Sequence, residues 1–225
     1  MSADARLPTI GVLGGTGKEG KGLAYRWARA NYRVIIGSRA AEKAAQAVTE
    51  LLAILPGSAS IAGMVNSDAA AQAGIVVLTV PYAAHAATLE SLKAALAGKL
   101  LIDVTVPLVP PRVSRVQMPA AGSAAQEARN ILGEASEVAA AFHTIPYEAL
   151  LRDDAVDCEV LVTGTGKETR ARALELVAAA GLVGWDAGPI ENSVVAEGLA
   201  SVLININKQY GSTHAGIRIT GVPGR

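Results

Sequence analysis

The sequence has few of the residues that build disulfide frameworks, metal clusters or base-stacking surfaces. It contains one cysteine, Cys158, so an internal disulfide and a cysteine-cluster metal site are excluded. Its three histidines, His85, His143 and His214, show no metal-ligand spacing, and we predict no bound metal. Aromatic residues make up 4% of the chain and the formal net charge is zero. These features disfavour a protein that binds nucleic acid or an anionic membrane.

Long hydrophobic runs are also missing. The longest, about residues 73–84, is interrupted by Thr79 and Pro81 and is too short to span a bilayer. The start of the chain, Met1 to Pro8, is polar and shows no signal region. A hydrophobic fraction of 51% in 225 residues is nevertheless enough for a folded core. We therefore expect a cytoplasmic protein built on one large domain.

Short β-branched runs alternate with alanine-rich stretches, which is typical of an α/β fold. The strand runs are apolar throughout, so the sheet should be covered on both faces. We predict a Rossmann-type, doubly wound, mostly parallel sheet with a small C-terminal helical segment. The predicted strands cover residues 9–13, 33–36, 60–64, 75–80, 100–106, 138–142 and 158–163. The predicted helices cover residues 17–31, 41–55, 68–73, 83–96, 123–132 and 168–180.

The pattern changes near residue 189. Apolar residues recur there at helical spacing and predict one amphipathic helix; they are Val195, Leu199, Val202 and Ile206. We place a dinucleotide-binding domain at residues 1–188 and a helical tail that closes its cleft at residues 189–225. The same apolar stripe suits a helix that covers its own cleft and one that meets a second copy, so both readings stay open.

A glycine-rich turn between the first predicted strand and helix indicates a dinucleotide site. It has the pattern Gly15-x-Gly17-x-x-Gly20. Gly15 would allow the tight turn, Gly17 the approach of a pyrophosphate, and Gly20 close packing of helix on strand. The N–H groups and dipole of the helix N-terminus would hold the anion. A P-loop is excluded because it needs a glycine where Val12 stands; a turn that merely connects two elements is the remaining alternative.

The end of the second strand indicates which dinucleotide binds. An NAD site carries Asp or Glu there for the ribose hydroxyls, whereas this chain has Ser38 and Arg39, with Lys43 one helical turn further. A guanidinium, a hydroxyl and an ammonium suit a 2′-phosphate. We therefore predict NADP(H) rather than NAD(H). The alternative is a solvated Arg and Lys at a helix start.

Nearly the whole chain resembles the family of F420-dependent NADP oxidoreductases, which are NADPH-dependent reductases of the deazaflavin coenzyme F420. The segments that carry the resemblance are Gly14-Gly-Thr-Gly-Lys-Glu-Gly20, Gly37-Ser-Arg39 with Lys43, Val77-Leu-Thr-Val-Pro81, His143-Thr-Ile-Pro146, Asp186-Ala-Gly-Pro189 with Asn192-Ser193, and Ala215-Gly-Ile-Arg-Ile-Thr220. The resemblance implies an NADP-dependent oxidoreductase that passes a hydride reversibly between NADPH and coenzyme F420. It also implies a homodimer.

The resemblance also implies roles for individual residues. The pyrophosphate and 2′-phosphate end would be bound by Thr16, Gly17, Lys18, Glu19, Ser38, Arg39 and Lys43. Tyr82 would line the adenine or ribose side, and Leu203 and Asn207 would cover the apolar side of the deazaflavin. The wall where the two rings stack would be formed by His143, Thr144, Ile145 and Pro146.

The three histidines are expected to differ in role. On the residues alone, His143 is a satisfied histidine at a strand end; the resemblance favours a residue that positions a ring and is not an obligatory acid or base. His85 is expected at a helix start or on the rim of the site, and His214 in a polar segment. Neither suggests a proton relay for carbonyl reduction.

Two other functions stay open at this point. One is an NADPH-dependent reductase of the same fold with another acceptor: a flavin, a ferric chelate or a small imine. The proline-rich segment from Pro107 to Pro119 neighbours the predicted cleft and would shape such a pocket. The other is a non-catalytic NADPH-sensing module, which would bind NADPH without oxidising it.

Overall fold

A computed structural model describes residues 7–152 and 155–222. Residues 1–6, which carry most of the polar start of the chain, and the last three residues of the predicted tail lie outside these ranges. Within them the chain forms eight strands: β1 (Ile10–Leu13), β2 (Val34–Ser38), β3 (Ile61–Val65), β4 (Ile75–Leu78), β5 (Leu100–Asp103), β6 (Glu137–Ala140), β7 (Glu159–Gly164) and β8 (Val183–Pro189).

Eight α-helices occur in the same ranges, and a short 3-10 turn, Ile190–Asn192, precedes the last of them. The helices are α1 (Lys18–Arg29), α2 (Ala41–Leu52), α3 (Asn66–Gln72), α4 (Tyr82–Leu96), α5 (Ala124–Leu132), α6 (Tyr147–Leu150), α7 (Lys167–Ala179) and α8 (Ser193–Tyr210). None of the helices described has the length and apolar character needed to cross a membrane.

All strands belong to one sheet with the order β3-β2-β1-β4-β5-β6-β7-β8. Neighbouring strands are parallel except β6 and β7, which are antiparallel. The predicted doubly wound, mostly parallel Rossmann-type sheet is therefore confirmed. The strand order reverses between β1 and β4, and open α/β sheets bind ligands at the carboxyl edge of such a switch point.

The apolar core lies on both faces of the sheet. Alternate residues of one strand face opposite sides, so Ile10 and Val12 join the core beneath α1 and α7 while Leu13 joins the core beneath α3 and α4. On the first face, the ring of Trp27 meets that of Phe142 edge to face, with 5.9 Å between the ring centroids. This contact anchors helix α1 to the end of strand β6.

Two elements were not predicted. Strand β8 has the sequence Val-Gly-Trp-Asp-Ala-Gly-Pro, without an apolar run, because it lies at the edge of the sheet and is only partly buried. Helix α6 has four residues, too few for a periodic pattern.

The apolar stripe predicted for the last helix is not the face that α8 buries against the rest of the chain. Val195, Val202 and Ile206 are exposed on α8. The buried face is formed by small and polar residues together with one leucine: Ser193, Ala196, Glu197, Gly198, Ala200, Ser201 and Leu203. Small residues let α8 approach α5 closely. A search for large apolar residues at helical spacing therefore finds the opposite, exposed face of the helix.

Candidate functional site

The glycine turn after β1 is shaped by close backbone contacts. Gly14 adopts a left-handed conformation, with φ +71°, so the turn depends on Gly14 as well as on Gly15. A Cβ at Gly15 would lie 2.6 Å from the carbonyl oxygen of Val12. A Cβ at Gly20 would lie 2.7 Å from the Cα of Gly15, so close packing of α1 on the turn requires glycine there, as predicted.

Gly17 is different, because no protein atom crowds it. A Cβ at this position would meet only the Gly14 carbonyl oxygen, at 3.6 Å, and the φ of −70° suits any residue. Gly17 is exposed and is the N-cap of α1 without a side-chain hydrogen bond. The N-terminal N–H groups of α1 therefore face outward beside an open backbone surface, the arrangement that receives a phosphate.

Two side chains that the sequence analysis missed hold this turn. The backbone N–H of Gly14 donates to Oδ1 of Asn66 at 3.3 Å, and Oγ1 of Thr79 donates to the carbonyl oxygen of Leu13 at 2.9 Å. Thr79 follows β4 and Asn66 follows β3, so both lie at the carboxyl edge of the sheet. Asn66 closely follows one predicted strand and Thr79 lies near the end of another, and these positions were the available signal.

The residues predicted to bind the 2′-phosphate lie together between β2 and α2. Ser38 is buried, and its Oγ accepts a hydrogen bond from the backbone N–H of Ala40 at 3.4 Å. Arg39 and Lys43 are exposed. Two cations and a hydroxyl thus occur at the carboxyl end of β2 and in the first turn of α2, where Glu42 also lies.

Lys18 and Glu19 occupy the first turn of α1. Nζ of Lys18 donates to the hydroxyl of Tyr147 at 3.0 Å and lies 4.8 Å from the centroid of that ring. The hydrogen bond with Tyr147 raises the pKa of Lys18, which stays a cation. Desolvation raises the pKa of the half-buried Glu19 carboxyl to about 8. At neutral pH Glu19 is therefore mostly uncharged and does not repel an anion at this helix end.

The predicted ring-binding wall begins at a strained residue. Phe142 is fully buried with φ 70°, a conformation that costs energy for a residue with a Cβ. It turns the chain so that His143 follows the end of β6 at the carboxyl edge. Thr144 and Ile145 are buried as well, and Pro146 is half-buried.

His143 carries a polar atom that has no partner in the described chain. Only 8% of the residue is exposed, and its Nε2 is buried without a hydrogen bond. Burial lowers the pKa of His143 to about 4, while the charge and backbone of Asp103 act in the opposite direction. The ring is therefore neutral at pH 7, and an unpartnered ring nitrogen at this edge fits a ligand group as its partner.

The segment after His143 is fastened to α1. Arg26 is buried on α1, and its guanidinium donates to the carbonyl oxygens of Leu150 at 2.9 Å and Ala149 at 2.8 Å. A Cβ at Gly22 would lie 2.5 Å from Leu150, which shows how closely α6 packs on α1. The helix that follows the glycine turn thus also positions the wall at His143.

A buried cluster lies next to this wall. The Nε2 of His85 is 2.7 Å from Oδ2 of Asp103, and its Nδ1 is 2.9 Å from Oε2 of Glu127. His85 is in the first turn of α4, as expected, but it is fully buried and not on the rim. Tyr82 joins this cluster: its hydroxyl donates to Glu127 at 3.4 Å and its ring stacks on His85 with 6.0 Å between centroids.

The carboxyl groups around His85 favour its protonated form. Burial alone would lower the pKa of His85, but the hydrogen bonds and charges of Asp103 and Glu127 raise it above the usual value. An imidazolium can donate to two carboxylates at once. No sequence pattern indicates the cluster, since Asp103 and Glu127 are 18 and 42 residues away from His85.

Glu197 adds a third buried acid, from α8. Its carboxyl oxygens accept the backbone N–H groups of Ala124 at 2.7 Å and Ala125 at 3.1 Å, which are the first of helix α5. The side chain is fully buried, and burial raises its pKa to about 8. Glu197 therefore fixes α8 to α5 in a mostly protonated form at neutral pH.

The two residues of α8 that are predicted to cover the acceptor have different surroundings. Leu203 is buried, whereas Asn207 is half-buried and its Oδ1 accepts the backbone N–H of Ala215 at 3.0 Å. The proline-rich segment packs on the same helix: Oγ of Ser201 donates to the carbonyl oxygen of Arg115 at 3.3 Å. Helix α8, this segment and the chain after Tyr210 thus form one connected unit.

Comparison with known proteins shows to which family the chain is similar. Residues 9–107 match the family model described as "NADP oxidoreductase coenzyme F420-dependent". The F420-dependent NADP reductase of Methanothermobacter thermautotrophicus is 42% identical over 221 residues, 95% of each chain. The F420-dependent NADP reductase of Methanocaldococcus jannaschii is 37% identical over 221 residues, 95% of this chain and 98% of the relative.

A solved structure shows the same fold. It is described as a putative F420-dependent NADP-reductase from Arthrobacter sp. FB24, and it is 23% identical to this chain with a TM-score of 0.79. The match covers 96% of this chain and 100% of that chain. At this identity the likeness concerns the fold, including the C-terminal helix.

Proposed function

Because the chain belongs to the family of F420-dependent NADP reductases, we propose that it transfers a hydride reversibly between NADPH and the deazaflavin coenzyme F420. The observation that carries the proposal is the unpartnered Nε2 of the neutral His143, at the same sheet edge as the open backbone of Gly17. One feature suits the ring end of a dinucleotide and the other its pyrophosphate.

The dinucleotide would lie across the switch point between β1 and β4. Its pyrophosphate would rest on the N–H groups of Lys18 and Glu19, since Gly17 leaves its backbone open and donates its own N–H to the Gly14 carbonyl oxygen. Its 2′-phosphate would meet the Ser38, Arg39 and Lys43 group at the end of β2. This arrangement supports NADP(H) over NAD(H), because no carboxylate stands where NAD enzymes carry one.

The nicotinamide would lie towards β5 and β6, against the wall from His143 to Pro146. Hydride transfer between two flat rings needs them face to face at about 3–3.5 Å, and a rigid wall provides this. Arg26 and the buried Phe142 keep the wall in place. Helix α8, with Leu203 and Asn207, would cover the acceptor and exclude water.

His143 would position a ring and would not transfer a proton. Its pKa of about 4 makes it a poor proton donor at neutral pH. A buried neutral imidazole can instead accept a hydrogen bond at Nε2 from a ligand N–H, which orients that ligand. The cofactors supply the chemistry, and this chain supplies position and phosphate recognition.

We also propose a homodimer formed through α8. The apolar stripe of Val195, Val202 and Ile206 is exposed in the single chain, and a second copy would cover it. The cytoplasmic location stays a prediction from the sequence.

The proposal is tested anaerobically by mixing the purified protein with NADPH and oxidised coenzyme F420 and following the deazaflavin absorbance. A parallel sample holds free flavin mononucleotide. We expect rapid bleaching with the deazaflavin and none with the flavin. Tight NADPH binding without bleaching would overturn the acceptor assignment and would point to the sensing module, whereas bleaching of the flavin alone would point to another acceptor.

A further inference from the structure

The buried cluster around His85 has one feature that the proposed hydride transfer does not use, namely its charge. The imidazole of His85 lies between the carboxyl groups of Asp103 and Glu127, so two acidic groups face one basic group. Glu197 lies on α8, which also packs against this cluster, and is mostly protonated at neutral pH. Tyr82 faces the cluster as a neutral phenol, since burial raises its pKa further.

Asp103 is the member of the trio that lies closest to the proposed ring site along the sheet. It ends β5 and pairs in register with Ala140 of β6, three residues before His143. Its Oδ1 accepts the backbone N–H of Thr105 at 3.0 Å, which turns the chain out of the strand. Its carboxylate is therefore fixed on both sides, by Thr105 and by His85.

Two unpartnered atoms on either side of Asp103 point to a ligand at this place. They are Nε2 of His143 and Oγ1 of Thr105, both buried without a hydrogen bond in the described chain. The residues are 8% and 3% exposed. The negative charge of Asp103 also acts on the ring of His143, where it favours the protonated form. The field of Asp103 thus reaches the wall at which the nicotinamide would lie.

We propose that Asp103, held in place by His85, is a specificity-determining residue that favours the cationic nicotinamide of NADP⁺ over the neutral ring of NADPH. This inference rests on the proposed function, since it takes the nicotinamide to lie at His143. NADP⁺ and NADPH share every group except this ring, so a charge beside the ring changes the ratio of their affinities, while a charge elsewhere changes both alike.

Two roles combine in the cluster. Asp103 acts directly on the ring through its charge, whereas His85 is a positioning residue that holds the buried carboxyl group of Asp103 in place. Glu127 lies further back on α5, with its side chain 26% exposed, and supplies the negative charge that His85 does not balance. Removing either carboxylate makes the cleft less negative.

The test measures the dissociation constants of NADP⁺ and NADPH by calorimetry, without an acceptor, for the unchanged protein and for Asp103→Asn. We expect the ratio of the NADP⁺ constant to the NADPH constant to rise about threefold to tenfold in the variant, as expected for one nearby charge at a partly screened site. Glu134→Gln is the matched control, because Glu134 is exposed in the turn before β6, at the opposite edge. Its ratio should match that of the unchanged protein.

A second variant and a fragment keep the outcomes distinct. If Asp103→Asn does not fold, Glu127→Gln decides; it should raise the same ratio by a smaller factor. The fragment 2′-phospho-ADP-ribose lacks the nicotinamide and should bind all variants equally. An unchanged ratio in folded variants that still bind the fragment would overturn the inference and leave the proposed function intact. If neither nucleotide nor the fragment binds the unchanged protein, the proposed function itself fails.

Discussion

At the residue scale, two glycines of one turn have opposite reasons for being glycine. A Cβ at Gly20 would overlap Gly15 and Thr79 at 2.7 Å, whereas one at Gly17 would touch nothing closer than 3.6 Å. We expect Gly20→Ala to lower the free energy of unfolding by about 1–3 kcal/mol. Gly17→Ala should change it by no more than about 0.5 kcal/mol, yet weaken NADPH binding at least about tenfold by excluding the pyrophosphate.

Urea unfolding and NADPH titration of both variants check this contrast. If Gly17→Ala binds NADPH normally, the pyrophosphate does not rest on this turn. If Gly17→Ala destabilises the protein as much as Gly20→Ala, then packing alone accounts for the glycine.

Arg39 is the residue that we propose to favour NADPH over NADH. It is exposed at the end of β2 and can hold a 2′-phosphate with two parallel hydrogen bonds. Each charge-assisted bond contributes about 1.5–3 kcal/mol, so Arg39→Ala should weaken NADPH binding by about tenfold or more and leave NADH binding nearly unchanged. The control is Arg33→Ala, because Arg33 is exposed directly before β2, at the end of the strand opposite to Arg39. Equal losses for NADPH and NADH would contradict the assignment.

At the element scale, α1 connects the two ends of the site. Arg26 donates to the carbonyl oxygens of Leu150 and Ala149. In Arg26→Gln these buried oxygens lose a charged donor, and we expect the free energy of unfolding to fall by about 2–3 kcal/mol. Amide hydrogen exchange at Ile145 and along α6 should accelerate, because the segment is no longer fastened to α1.

The control for Arg26 is Arg29→Gln, on the exposed end of the same helix. It removes the same charge from α1 without touching α6, so exchange at Ile145 should stay as in the unchanged protein. Equal acceleration in both variants would show that net charge, and not the contact with α6, holds the segment.

The contact between α8 and α5 makes stability depend on pH. The pKa of Glu197 rises from 4.5 to about 8 on folding, so the native state keeps a proton that the unfolded state has lost. Stability therefore falls as pH rises between these values. From pH 6.5 to 8.5, above the range in which His143 titrates, the loss should be about 2 kcal/mol.

Glu197→Gln should remove its own part of this slope, as seen in urea unfolding at a series of pH values. Glu19→Gln is the comparison, because the pKa of Glu19 is also about 8 but its side chain lies in α1. It should likewise remove only its own part. A shallower slope remains in the double variant, because the pKa of His85 is raised as well; a slope as steep as that of the unchanged protein would exclude both carboxyls as its source.

The same elements show what sequence reasoning can reach. The turn from Gly15 to Gly20 was predictable because its contacts are local: nearby backbone crowds Gly15 and Gly20 and leaves Gly17 open. Strand β8 was not, since an edge strand needs no continuous apolar run. The buried face of α8 was not predicted because its close contact with α5 needs small residues such as Ala196 and Ala200. A search for helical periodicity instead follows large apolar residues such as Val195 and Val202.

At the scale of the whole molecule, the carboxyl edge of the sheet collects residues that are far apart in sequence. Parallel strands bring the ends of β1, β2, β4, β5 and β6 to one side, and the sequence predicts this much. It does not predict which side chains then pair. His85, Asp103 and Glu127 meet only after α4 and α5 pack on the sheet, so the position of His143 at this edge could be predicted and the cluster beside it could not.

The exposed stripe of α8 leads to the last prediction, which concerns assembly. Val195 is 62% exposed and Val202 44% exposed, and each apolar side chain buried in a dimer contributes about 1.5–3 kcal/mol. Val202→Glu places a charge in that interface in both copies, so the dimer dissociation constant should rise at least about a hundredfold, measured by sedimentation equilibrium. Leu52→Glu, on an equally exposed leucine of α2, should leave it unchanged. A dimer that withstands Val202→Glu would mean that α8 is not the interface and that its stripe faces solvent or the acceptor instead.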